Sequence, residues 1–328
     1  MGSSRDRRLL RAFGLAAWLS LPGLAAAEDR KEPVPETETL YPGAAVDLIP
    51  QALSKVGVRV YGEETITVLA DFGPAEASEF RSALAVRAAG PISQSLALRA
   101  TASGQAAFFD YSGDRDQLEL DLGGSELFER LYDFKFALGG AYQLTKHWSL
   151  FAEGSANMDW ENGASISDAV SGSGAFGVGF QWEPHLELTL GVKVGSQIEE
   201  GGVSVSPVLG FRWRIREGMR LETQGTGLMF AMDLLPELEL QLRASYDGNR
   251  YRLEDAAGAF PEQTLRQREV PVLVALRWKP SKRWRLGAGA GSVVYQKWKV
   301  EADDDDGGSS SVDAGPAALV WLRCEYRF

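Results

Sequence analysis

The chain has 328 residues, 34 of them basic and 45 acidic, and a formal net charge of -11. That balance argues against a nucleic-acid partner, which needs a basic face. A lone Cys324 permits no intramolecular disulfide, and two histidines with one cysteine argue against a zinc site of the usual nitrogen and sulfur type.

Residues 1–27 read as a signal peptide. Arg5, Arg7, Arg8 and Arg11 form a basic start, residues 12–24 are mostly apolar, and Ala25, Ala26 and Ala27 supply a small-x-small cleavage site. The apolar run is short for a membrane anchor, the competing reading. Cleavage removes four Arg and one Asp, leaving 30 basic and 44 acidic residues, a net charge of -14. Residues 28–54 are polar and rich in proline (Pro33, Pro35, Pro42, Pro50) and predict a flexible periplasmic leader. No later run of 18 apolar residues predicts a spanning helix.

From residue 55 to 328 the periodicity is two. Phe134, Phe136, Leu138, Tyr142 and Leu144 make one stripe; Leu186, Leu188, Leu190, Val192 and Val194 make another. Val203, Val205, Pro207, Leu209, Phe211, Trp213 and Ile215 make a third, and Val270, Val272, Val274, Leu276 and Trp278 a fourth. Each stripe alternates with polar or small residues, as in strands with one apolar face. The predicted strands are 58–71, 78–90, 94–108, 133–144, 147–159, 173–183, 186–198, 203–215, 219–225, 227–234, 237–252, 268–279, 283–299 and 315–328. The pair 219–225 and 227–234 is short and irregular, but two strands there keep the count even. If the first strand and one other were loop, twelve would remain.

Tight links at 144–148, 182–186, 212–219 and 278–284 alternate with longer ones at 109–132, 159–172, 253–268 and 300–314. The pattern predicts a closed antiparallel transmembrane β-barrel, all-β, with short periplasmic turns and longer extracellular loops. Trp148, Trp182, Trp213, Trp278 and Trp284 stand near strand ends, where an interfacial girdle places aromatic rings. A soluble β-sandwich explains the alternation but not the polar face, which is rich in glycine (Gly177, Gly179, Gly191, Gly195, Gly287, Gly289, Gly291). Small inward residues in a narrow lumen leave room for long charged side chains. The predicted lumen-facing charges are Arg99, Lys135, Glu153, Glu187, Lys193, Arg212, Arg214, Arg243, Arg285, Arg323 and Glu325. Inside a lumen these must pair or be hydrated.

Within the long 109–132 connection and just after it, 123–134 reads as a short helix capped by Ser125, with Leu127, Phe128 and Leu131 on its apolar side. The letters of 172–177 satisfy GxGxxG, but the strand-like "VGFQW" follows where a helix is required, so no nucleotide site is predicted. His147 and His185 sit beside tight turns without a Ser and acid context, so no catalytic residue is predicted. Asp303, Asp304, Asp305 and Asp306 lack the spacing of a calcium loop and read as a solvated outer loop. Divalent-ion bridging from this loop to lipopolysaccharide phosphates is the sharper alternative. Neither a cofactor nor a metal is expected.

The final ten residues, "LVWLRCEYRF", put Val320, Leu322, Cys324, Tyr326 and Phe328 on one side. The closing stripe of Leu322, Cys324, Tyr326 and Phe328 resembles the C-terminal assembly signal of bacterial outer-membrane proteins. The mature chain resembles a domain-of-unknown-function family of Gram-negative outer-membrane barrels. Cys324 departs from the more usual valine or aromatic. That resemblance implies the outer membrane as location, contact with its lipid and lipopolysaccharide, and recognition by the barrel-assembly machinery. The expected state is a monomer. The expected function is a narrow, porin-like passive channel or transporter; the alternatives are a closed structural or surface-interaction barrel whose loops bind a partner, and a barrel enzyme acting on lipids.

Overall fold

A computed structural model describes residues 56–122, 127–182, 185–196, 203–254, 263–302 and 309–328. The signal peptide, the leader, Ser125 and the acidic residues 303–306 lie outside the described residues.

The described chain is a closed antiparallel barrel of 14 strands. Its segments are β1 (Gly57–Asp71), β2 (Ala75–Pro91), β3 (Leu96–Gly113), a helix α1 (Arg115–Asp121), β4 (Arg130–Gln143), β5 (Trp148–Glu161) and a 3-10 turn (Ile166–Ala169). There follow β6 (Val170–Trp182), β7 (Leu186–Ser196), β8 (Val203–Arg216), β9 (Met219–Gln224), β10 (Gly227–Leu235), β11 (Leu238–Ala244) and β12 (Asp247–Arg252). The last are β13 (Gln263–Trp278), β14 (Trp284–Ala302), β15 (Ser309–Ala314) and β16 (Ala317–Arg327). Two pairs of segments are single barrel strands broken once: β11 and β12 both pair with β13, and β15 and β16 both pair with β14. The predicted weak pair forms two real strands, β9 and β10, joined through Gly225 in the left-handed region at φ 57°. Glycine meets that conformation without a Cβ penalty.

Closure comes from β16 against β1, in register from Arg59↔Arg327 to Val68↔Ala318. The Phe328 amide donates to the Val58 carbonyl at 3.0 Å and finishes the seam. Val320, Leu322 and Phe328 are exposed outside, while Leu319, Trp321, Arg323 and Glu325 are buried inside.

All the short connections predicted between strands lie at one end of the barrel, with the start of β1 and the end of β16. The other end holds the longer connections, plus two tight ones at 72–74 and 225–226. We call these the turn end and the loop end. Trp148, Trp182, Trp278 and Trp284 are exposed at the turn end, with Trp213 nearby on β8. Their rings join a belt: Trp148 lies 4.6 Å from Phe180, and Trp284 4.8 Å from Tyr326, which in turn lies 4.7 Å from Phe328.

The helix is not where the sequence reading put it. It occupies Arg115–Asp121, capped by the Asp114 carboxylate accepting from the Gln117 amide. Leu127 and Phe128 precede β4 without regular structure, and Leu131 is already in the strand. Their apolar pattern serves a core rather than a helix face.

A closed wall has no free edge along β1 and β16 and unfolds cooperatively. The unboiled protein in dodecyl sulfate is expected to migrate faster than the boiled protein, by gel shift. Equal mobility would contradict closure.

Candidate functional site

The interior divides into three layers along the barrel axis. At the turn end, charged side chains from successive strands face each other across the ladder. Glu187, Arg212 and Glu222 are direct register partners on β7, β8 and β9. Arg212 donates to Glu187 at 2.8 Å and to Glu222 at 3.0 Å. Arg220 forks onto Glu239 at 2.9 and 3.0 Å, and Lys279 reaches the same carboxylate at 3.3 Å. Glu325 gathers Arg277 at 3.2 Å, Arg285 at 3.8 Å and Arg327 at 2.6 Å. Glu239 and Gln241 are wholly buried, and Glu222 and Glu325 nearly so. Alternating sign along the inner wall lets Glu222 and Glu239 each neutralise two cations and Glu325 three, while Glu187 shares Arg212. The result is an ionic plate across this part of the lumen.

At the loop end an apolar core lies in the interior beneath β1–β4 and β12–β16. Phe72, Phe109, Phe128 and Trp298 form its centre. Trp298 lies 4.2 Å from Phe72 and 4.9 Å from Phe128, and Phe109 meets Phe128 edge-on at 5.0 Å. Leu118 and Leu122 from α1, Tyr251 from β12 and Leu265 from β13 complete it. Edge-to-face rings of this kind add about 0.5–1.5 kcal/mol per pair beyond area burial. Under the core, Arg81 on β2 reaches across the interior to Glu269 on β13 at 2.8 Å.

Between plate and core lies a polar cavity of about 1150 Å³. Of the predicted lumen charges, Arg99, Lys135, Glu153, Lys193, Arg243 and Arg323 line it. Glu187, Arg212, Arg285 and Glu325 lie in the plate, and Arg214 stands exposed opposite Arg220. Arg99 pairs with Glu153, and Arg323 with Glu63 at 3.5 Å. Asp133 and Asp159 face each other across β4 and β5, two places from Lys135. The inward glycines serve aromatic rings as well as charges. Gly177 and Gly191 are register partners, and a Cβ on either would come within 2.7 or 2.9 Å of the Phe151 ring. A Cβ on Gly287 would sit 2.7 Å from Trp321, whose ring carries Arg243 at 4.6 Å.

The cavity opens sideways. Of the fourteen residues of β8, β9 pairs only with the stretch from Arg212 to Arg216. Among the described residues, none pairs with 203–210 on that side. The side chain of Thr223 caps the end of the ladder, accepting from the Phe211 amide at 2.9 Å. On the far side β12 leaves the line of β10 and leans over to β5, meeting it at Arg252↔Trp160. The Glu254 amide ties this crossing down on the Glu161 carboxylate at 2.9 Å. A notch remains above the β9–β10 hairpin. Cavity-lining residues reach it from all three sides: Val208 and Leu209, residues 225–228, and residues 246–250. At about 3.3 Å per residue and 45° tilt, the six residues of β9 rise only about 14 Å, whereas a spanning strand needs about 9–11 residues.

His147 and His185 are exposed in the turns, and Nδ1 of His147 lies 3.0 Å from the Gln181 carbonyl oxygen. The GxGxxG letters fall inside β6. Among the described residues no cluster of three acid, histidine or cysteine side chains forms a metal cage.

No family model and no curated protein matches the chain, so the narrower resemblance to a domain-of-unknown-function family finds no support there. Solved structures with similar shape include an outer membrane channel from Pseudomonas putida F1, at 10% identity and TM-score 0.44, covering 84% of this chain and 96% of that one. A toluene transporter from Pseudomonas putida matches at 12% identity and TM-score 0.38, covering 87% and 93%. A FadL homologue from Pseudomonas aeruginosa matches at 8% identity and TM-score 0.40, covering 83% and 89%. At these scores the likeness is loose, and what those proteins carry says nothing of this one.

Removing one member of the plate strands its partners. Glu239→Ala, which leaves Arg220 and Lys279 without their shared carboxylate, is expected to cost about 3–5 kcal/mol in urea unfolding from lipid vesicles. Glu239→Gln, which keeps an acceptor, is expected to cost less. Equal, negligible losses for both would show that the plate does not hold the wall.

Proposed function

We propose that the protein is an outer-membrane barrel that forms a narrow passive channel for small polar solutes. The observation that carries this reading is the polar cavity enclosed by a wall whose exterior is apolar, with an opening in its side. Phe136, Leu138, Leu190, Leu209, Val274, Leu276 and Leu322 are all exposed on the outside, a surface that suits hydrocarbon and not water. The turn end faces the periplasm, in keeping with both chain ends and the tight turns there. The stripe of Leu322, Cys324, Tyr326 and Phe328 serves barrel assembly.

The route runs from the notch into the cavity and then through the ionic plate, which sets the conductance. The cavity and its notch are lined by nine cations (Arg81, Arg99, Lys135, Lys193, Arg243, Arg250, Arg266, Arg268, Arg323) and six carboxylates (Glu63, Asp133, Glu153, Asp159, Asp247, Glu269). The surplus of cations at the notch favours entry of anions over cations. The plate itself favours a second reading, a permanently closed barrel that acts through its loops.

Single-channel recording in planar bilayers separates the two. The wild type is expected to pass small, intermittent currents. Arg212→Ala combined with Glu187→Gln and Glu222→Ala removes the facing triad together, with Arg220 keeping its fork on Glu239, and is expected to raise conductance several-fold. No current from either protein, once folded, would leave the closed barrel as the reading.

A further inference from the structure

Above its apolar band the outer face of β12, β13 and β14 carries two rungs of like charge. Arg250, Arg266 and Lys299 are direct register partners on the three strands. One rung below, Arg268 faces Lys297. All five sit on the face opposite Tyr251, Leu265 and Trp298, which are buried in the loop-end core. Like charges directly opposite each other destabilise a sheet. Two carboxylates offset part of this: Glu301 pairs with Lys299, and Asp313 with Lys297 at 3.4 Å. Among the described residues five cations and two carboxylates make up this patch.

Depth fixes what this patch meets. Along β14 the outward residues run from Trp284 to Tyr295, eleven positions, or about 25 Å at the usual rise and tilt, the height of an apolar barrel band. A bulge at Val294 shifts the register there, and Lys297 follows two places above Tyr295. On β13 the outward positions change from Val274, Leu276 and Trp278 to Arg268 and Arg266 over the same height. The cations therefore stand at headgroup level of the leaflet on the loop side. Arg250, Arg266 and Arg268 also border the notch.

We propose that these rungs bind the phosphates of a phosphorylated glycolipid in the outer leaflet. The proposal rests on the outer-membrane reading but not on channel activity. Arginine suits the site because its planar fork binds phosphate oxygens in pairs. A bound headgroup bearing two phosphates would bridge the rungs and cancel the repulsion that the bare sheet carries.

The test uses the folded full chain in detergent, titrated with bisphosphorylated lipid A, its dephosphorylated form and inorganic pyrophosphate, with binding and thermal unfolding followed together. Bisphosphorylated lipid A is expected to bind the wild type and raise its unfolding temperature. The dephosphorylated form is expected to do neither, and pyrophosphate at equal concentration not to displace the lipid. Arg266→Gln with Arg268→Gln is expected to lose tenfold or more in lipid affinity. Without lipid that variant is expected to unfold at the same or a higher temperature than the wild type, because repulsion is relieved. Unchanged lipid affinity in the variant, equal binding of the dephosphorylated lipid, or displacement by pyrophosphate would each overturn the proposal. A protein that binds lipid A this way yet passes no current would sink the channel reading alone.

Discussion

On the outer-membrane reading proposed above, everything in this barrel depends on backbone hydrogen bonding where no water is available. In hydrocarbon an unpaired amide or carbonyl costs several kcal/mol, so a sheet can persist there only if its first strand finds its last. The seam from Arg59↔Arg327 to Val68↔Ala318 meets that demand. An even strand count follows, because both ends of the chain must reach the same side. Outward Leu, Val and aromatic side chains and inward charges then follow from the two-residue period. At the turn end most charges are buried beside opposite charges on neighbouring strands, which produces the plate.

The same constraint makes the stretch at residues 203–210 informative. Among the described residues the wall loses its pairing there, and the polar cavity comes out at that place. The short β9 and the inward lean of β12 create the gap together. Their cause is visible in the packing: Tyr251 and Leu265 are drawn onto the aromatic core around Trp298, and Arg252 meets β5 at Trp160. The loop end thus holds apolar side chains and the turn end ionic ones, leaving a side passage between.

Much of this was legible in the sequence. Alternation in 134–144, 186–194 and 203–215 marked the strands and their outer faces, and the irregular stretch at 219–235 was rightly split by parity. Mixed charges on the small-residue face pointed inward. What stayed hidden depends on residues leaving the regular period. Bulges between Thr67 and Ala70 on β1 and at Val294 on β14 exchange the faces, so Phe72 and Trp298 turn inward to a core that alternation alone does not announce. The break between β11 and β12 is likewise invisible, since 237–252 keeps its alternation while changing partners. Leu127, Phe128 and Leu131 show helical spacing but pack into that core, with the helix itself at Arg115–Asp121.

The central claim is that the cavity opens through the side notch, while the plate narrows its way to the turn end to a path too small for an organic reagent. Cysteine labelling tests it most directly, with the native thiol removed by Cys324→Ser and a single reporter placed in the cavity by Ser173→Cys. In proteoliposomes of known orientation, a membrane-impermeant maleimide should react when added on the loop side and fail when added on the turn side. Reaction from the turn side alone, or equally from both, would contradict the account.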